Sequence, residues 1–116
     1  MSIAVELDEL RARIGEFPTD PYLLTVGDDG RSHSVAVAVR WDGDFLVVPA
    51  GRTTSSNAQA RRLVALLWPP AERGGYTLIV DATSSRCDGG ELWLEPTRAV
   101  LHRRAPGGGN DCTPVL

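Results

Sequence analysis

Two hydrophobic periods divide the chain. Ile3, Leu7, Leu10 and Ile14 recur at the spacing of one helix face, Ser2 can cap the first turn, and Gly15 followed by Pro18 stops the run, so the start predicts a single amphipathic helix. From Tyr22 the period falls to two. The runs "YLLTV", "SHSVAVAVRW" and "DFLVVP" alternate around Asp29-Gly30 and Asp42-Gly43, dipeptides suited to the positive φ angles of a type I′ turn, and predict a three-stranded meander. Further on, "RLVALLW", "YTLIVDATSS" and "ELWLEPTRAVLHR", with a turn signal at Asp88-Gly89, bring the expected strands to six. The "WPP" at residues 68 to 70 should end the fourth of them, because proline cannot donate to a ladder. Such a set closes most easily into a small antiparallel barrel.

The second strand separates its two faces by size. Val35, Val37, Val39 and Trp41 fall on one side, and Ser34, Ala36, Ala38 and Arg40 on the other. Small residues fit the crowded interior or close-packed interface of a small barrel; equally, a bare strand face lets a flat ligand lie against the backbone and hydrogen-bond to main-chain groups. Between Gly51 and Arg62 the strand pattern gives way to a short crossover helix, whose start gathers Arg52, Thr53, Thr54, Ser55, Ser56 and Asn57. One hydroxyl suffices for a cap. Four hydroxyls and an arginine beside free helix N–H groups form an anion site, and a phosphate cradle is the reading that uses them all.

Composition removes several classes of function. The 116 residues, 42% hydrophobic, suffice for one cored domain and are too few for two. The formal charge of -3 arises from fifteen acids and twelve arginines dispersed along the chain, with no lysine, so nucleic acid is a poor partner. No apolar run reaches the roughly 18 to 20 residues of a membrane span, and the N-terminus lacks a secretory pattern, which makes a cytoplasmic protein the expectation. Cys87 and Cys112 have no second pair at metal-ligand spacing and read as incidental free thiols, with no metal site expected. His33 and His102 lack triad partners, so no catalytic side chain is assigned. Trp41, Trp68 and Trp93 read first as core or interface area. The division is residues 1–104 as the folded domain and 105–116, "APGGGNDCTPVL", as a Gly-rich tail whose composition predicts flexibility.

The stretch "YLLTVGDDGRSHSVAVAVRWDGDFLVVPAGRTTSSNAQARRLVALLWPP", with the N-x-x-x-x-R-x-V run of Asn57 to Val64, resembles the core of the pyridoxamine 5′-phosphate oxidase-like split β-barrel superfamily, over roughly residues 1–104. The resemblance implies a mainly β fold, a six-stranded antiparallel split barrel with an N-terminal helix and a crossover helix. It further implies a homodimer with an FMN or deazaflavin (coenzyme F-420) cofactor in a cleft at the subunit interface, and hydride transfer to an unidentified small molecule. Carried onto this chain, it places Ser34, Val35 and Ala36 near the ring, Val48 and Pro49 at its edge, and Arg52, Thr53, Thr54, Ser55 and Asn57 around the phosphate. Two departures matter. The family turn commonly reads Ser-Arg-Lys, whereas Arg52, Thr53 and Thr54 supply one cation, and the C-terminal basic and aromatic motif of true pyridoxamine phosphate oxidases is missing. The resemblance is equally good to small deazaflavin-dependent reductases of actinobacteria, with which an all-arginine basic set is compatible. A cofactor-binding or storage protein without turnover, and a degenerate split-barrel dimer, are the alternative functions.

Overall fold

The strand periodicity produces one antiparallel sheet of eight strands, seen in a computed structural model that describes residues 1–104. The Gly-rich segment 105–116, with Cys112, lies outside the described residues. The elements are β1 (Ser2–Val5), a 3-10 turn (Leu7–Glu9), α1 (Leu10–Ile14), β2 (Tyr22–Val26), β3 (Ser32–Ala36), β4 (Arg40–Asp42), β5 (Phe45–Pro49), α2 (Arg52–Ala60), β6 (Leu63–Trp68), β7 (Thr77–Asp88) and β8 (Glu91–His102). The hydrogen-bonded order is β3-β2-β6-β7-β8-β5-β4, with β1 on the remaining edge of β8. The two ends of that path, β3 and β4, are consecutive in the chain. They are halves of the expected second strand, bent at Val37 to Val39, so the chain itself closes the split barrel.

The count of eight corrects the expected six in two places. The second strand divides because its first half pairs β2 (Leu23↔Val35) while its second half pairs β5 (Trp41↔Leu46), and one straight strand cannot follow both. The start of the chain forms β1 where a continuous helix was expected. Its register, Ile3↔Leu101 and Val5↔Ala99, supplies hydrogen-bond partners to an edge of β8 that would otherwise stay open. Ile3 and Leu7 are consequently about half exposed, and the residues that reach the core are Val5 and Leu10. Ser2 caps nothing; its hydroxyl lies 3.0 Å from His102 Nδ1.

The inner faces of the barrel meet in a core of Leu23, Leu46, Val48, Leu66, Trp68, Leu78, Val80, Leu92 and Leu94, all at most 2% exposed. Each such aliphatic side chain contributes about 1.5 to 3 kcal/mol on burial, so these alternate positions outweigh any surface contact. Trp68 is fully buried, while Trp41 lies beneath Arg11 and Trp93 beneath Arg86, both half-buried. The β7–β8 turn sits at Gly89 and Gly90, one residue past the expected Asp88-Gly89. Their φ values of 59° and 79° are the left-handed pair a type I′ turn requires. At Asp29-Gly30 and Asp42-Gly43 the aspartates keep negative φ, and only the glycine of each pair enters the left-handed region.

Candidate functional site

The bent strand delivers both of its faces as the size pattern anticipates. Val35 and Val39 are half-buried and Val37 is buried, whereas Ser34, Ala36, Ala38 and Arg40 are exposed. Beside this strand, Pro49 ends β5 and Ala50 hydrogen-bonds through its N–H to Gly90 O at 2.9 Å, which pins the chain as it turns into α2. Gly51 is the N-cap of α2, with extended backbone and no side-chain cap. The helical bonding starts at Ser55 N–H to Gly51 O, 2.9 Å. The first-turn N–H groups before Ser55 therefore precede the helix's own bonds and face outward from its start.

These pieces border one cleft of about 580 Å³, lined by His33, Val35, Ala36, Val37, Pro49, Ala50, Gly51, Arg52, Thr53, Thr54 and Gly90. That size falls within the roughly 300–1,000 Å³ of small-molecule and cofactor sites. Among the described residues, Arg52 is the one charged side chain on the lining, and no carboxylate opposes it. Among the described residues it makes no ion pair, although Arg13, Arg31, Arg40, Arg61, Arg86 and Arg98 each have a carboxylate partner. Thr54 is buried, with its hydroxyl 3.3 Å from His33 Nε2. One end of the cleft is thus cationic and rich in donors, and the other is an apolar strand edge.

Six of the ten residues assigned from sequence lie on this lining: Val35, Ala36, Pro49, Arg52, Thr53 and Thr54. The other four are elsewhere. Ser34 is exposed on the same face of β3 as Ala36 but lies off the lining, and Val48 is fully buried in the core, on the face of β5 opposite to Pro49. Ser55 donates from Oγ to Ala50 O at 3.4 Å, and buried Asn57 donates from Nδ2 to Thr25 Oγ1 at 3.2 Å, so both brace the crossover. Of the four hydroxyl residues only Thr53 and Thr54 line the cleft, and none caps the helix.

His33, Val37, Ala50, Gly51 and Gly90 join the lining without having been anticipated. His33 and Val37 share the inward face with Val35, a period-two signal already present in the sequence. Gly90 had no local signal: the pairing Pro49↔Glu91 brings it there from forty residues away. Among the described residues no cluster of metal-ligating side chains exists, and no helix is long and apolar enough to cross a membrane. Cys87 is an exposed free thiol.

Fold and cleft together define a small split β-barrel with a candidate ligand site at the strand-to-helix crossover. The chain belongs to the same family as two uncharacterized mycobacterial proteins, one from Mycobacterium bovis and one from Mycobacterium tuberculosis. Each is 38% identical over 117 aligned residues, spanning 87% of this chain and 82% of the relative. No family model matches the chain. Among solved structures it is similar to an F-420 reductase, with a TM-score of 0.58 and 19% identity over 72% of this chain and 90% of that one, a likeness of fold.

Proposed function

We propose that the cleft binds a phosphate-bearing flavin-type cofactor, coenzyme F-420 in the first instance, and that the protein is an oxidoreductase acting on a small molecule. One observation carries the reading: a bare strand edge for a planar ring and an arginine at a helix start lie in a single cleft that, among the described residues, holds no carboxylate and no ion-pair partner for that arginine. The likeness of fold to an F-420 reductase supports a cofactor of the flavin or deazaflavin kind. The bound cofactor would supply a ring carbon able to accept or release hydride. The chain's own residues bind and orient. Arg52 and the first-turn N–H groups of α2 would hold the phosphate, Val35 to Val37 and Pro49 would flank the ring, and Gly51 and Gly90 keep the backbone open where a Cβ would meet nothing within 4 Å.

The same reading includes a homodimer. Across the sheet's outer surface, register aligns Ala36, Tyr22, Leu67, Ile79, Val100 and Ala4 in one row, every member apolar or aromatic and at least partly exposed. A second copy seated on that row would also close the cleft, because Ala36 belongs to both. Titration of the purified protein with F-420 and with FMN, read by fluorescence, tests the proposal. Saturable binding of either supports it, and absence of both refutes it. Reduction or oxidation of the bound cofactor by candidate substrates then separates an enzyme from a storage protein.

A further inference from the structure

We infer that His33 is a titratable positioning residue for the phosphate held at Arg52, adding a positive charge to the cleft and turning the Thr54 hydroxyl toward the ligand on proton uptake. The inference rests on the cofactor reading above. His33 stands on β3 directly opposite Thr25 of β2, and both side chains reach α2: Thr25 Oγ1 accepts from Asn57 Nδ2 at 3.2 Å, and His33 Nε2 lies 3.3 Å from Thr54 Oγ1. The first contact is buried and serves packing. The second lines the cleft, with His33 half-buried and Arg52 two residues before Thr54 on the same lining.

The two charge states of the ring do different work. A neutral imidazole has one donor and one acceptor, so its Nε2 can take the hydrogen of the Thr54 hydroxyl and hold it away from a ligand. In the cation both nitrogens donate. Thr54 Oγ1 must then accept from Nε2–H, which frees its own O–H to donate to a phosphate oxygen, and the site gains one positive charge. Protonation thus adds a charge and a donor together. Histidine is the side chain that makes this change between about pH 5 and 8.

The charges around His33 leave that role open. Across β2, Leu24, Thr25 and Val26 carry none; α2 presents Arg52 and Thr54; β5 and the β7–β8 turn present Pro49 and Gly90. Along the chain, Asp29 pairs with Arg31 at 3.6 Å and Asp28 with Arg61 at 2.7 Å, so both carboxylates of that turn are already matched. Among the described residues, Arg52 is the one charged side chain that shares the cleft lining with His33.

The test compares wild type, His33→Gln and Arg52→Ala at about pH 5.5 and about pH 8, with FMN, F-420 and phosphate-free riboflavin as probes. Glutamine keeps a neutral hydrogen bond to Thr54 and does not titrate, and the paired comparison cancels the ligand's own titration. A charge-assisted contact exceeds a neutral one by about a factor of ten in affinity, so wild type should bind the phosphate-bearing probe about tenfold more tightly than His33→Gln at the lower pH and equally at the higher. Riboflavin should show no such difference. The His33 ring proton, followed by NMR, should titrate at higher pH once the probe is bound. Parallel pH profiles for wild type and His33→Gln, with Arg52→Ala still weakened, overturn the His33 assignment alone. No binding by any variant, or affinity indifferent to Arg52, overturns the cofactor reading and this inference with it.

Discussion

Replacing Arg52 by alanine separates a ligand-binding arginine from a structural one. The side chain is exposed at the start of α2 and, among the described residues, has no carboxylate partner, so its removal from the empty protein should change stability by less than about 0.5 kcal/mol. A charge-assisted contact to phosphate contributes about 1.5 to 3 kcal/mol, and one decade in affinity corresponds to about 1.4 kcal/mol, so binding should weaken by roughly one to two powers of ten. Arg61 is the internal control. Its Nε donates to Val26 O at 2.7 Å and its Nη2 to Asp28 at 2.7 Å, tying the end of α2 to β2. Because Asp28 is almost fully exposed, the carbonyl contact dominates, and Arg61→Ala should cost about 1 to 2 kcal/mol of stability, lowering Tm by several degrees. Its effect on affinity should be smaller than that of Arg52→Ala. Fluorescence titration gives the affinities and thermal denaturation of the cofactor-free protein gives Tm. If Arg52→Ala lowers Tm as much as Arg61→Ala does, or leaves affinity unchanged, the arginine is part of the helix mounting and the phosphate assignment fails.

Three further outcomes follow from the packing. Leu66→Ala, at a fully buried position, should cost about 2 to 5 kcal/mol in denaturant unfolding, whereas Leu63→Ala, at 79% exposure on the same strand, should stay within about 0.5 kcal/mol; similar losses at both would contradict the assigned strand faces. Leu67→Arg, in the middle of the outer apolar row, should turn a dimer into a monomer in light scattering while its circular dichroism is unchanged, and a wild type that is already monomeric would remove the dimer from the reading. Asn57→Ala leaves the buried hydroxyl of Thr25 without its donor and should cost about 1 to 3 kcal/mol, measured as Tm; a neutral effect would show that the hydrogen bond is dispensable.

The barrel was legible because a sheet with one buried face writes a period of two into every strand that it uses. The N-terminus misled because a short segment satisfies two periods at once: Ile3, Val5 and Leu7 alternate like a strand, while Ile3, Leu7, Leu10 and Ile14 repeat like a helix. The tie is broken by β8, almost a hundred residues away, whose edge needs partners at Ala99 to His102. Part of the error in the site was avoidable. Val48 and Pro49 are consecutive on one strand and point to opposite faces, and the hydrophobic run that precedes Pro49 marked Val48 as core. The loss of Asn57 to the interior and the arrival of Gly90 depend on how α2 docks and on the β5–β8 register, neither of which leaves a local trace.

Docking of α2 also explains why Arg52 is available at all. Thr54, Asn57, Ala58 and Arg61 recur at the three-to-four-residue spacing of one helical face, and they are the positions turned toward the barrel: three are buried and the fourth holds the Val26 carbonyl. The cross-strand pair Thr25 and His33 receives Asn57 and Thr54, which lie three apart on that face, and this fixes the rotation of the helix about its axis. At about 100° per residue, Arg52 lies roughly 200° from Thr54. It therefore lies off the packed face and stays exposed on the cleft, at the end of the helix where N–H groups have no partners within it. Packing and binding meet at Thr54, which is buried on the packed face and also lines the cleft. A change at Arg52 or Thr53, both exposed, can vary the ligand contacts without touching the core, whereas one that rotates the helix loses the core and the cleft together.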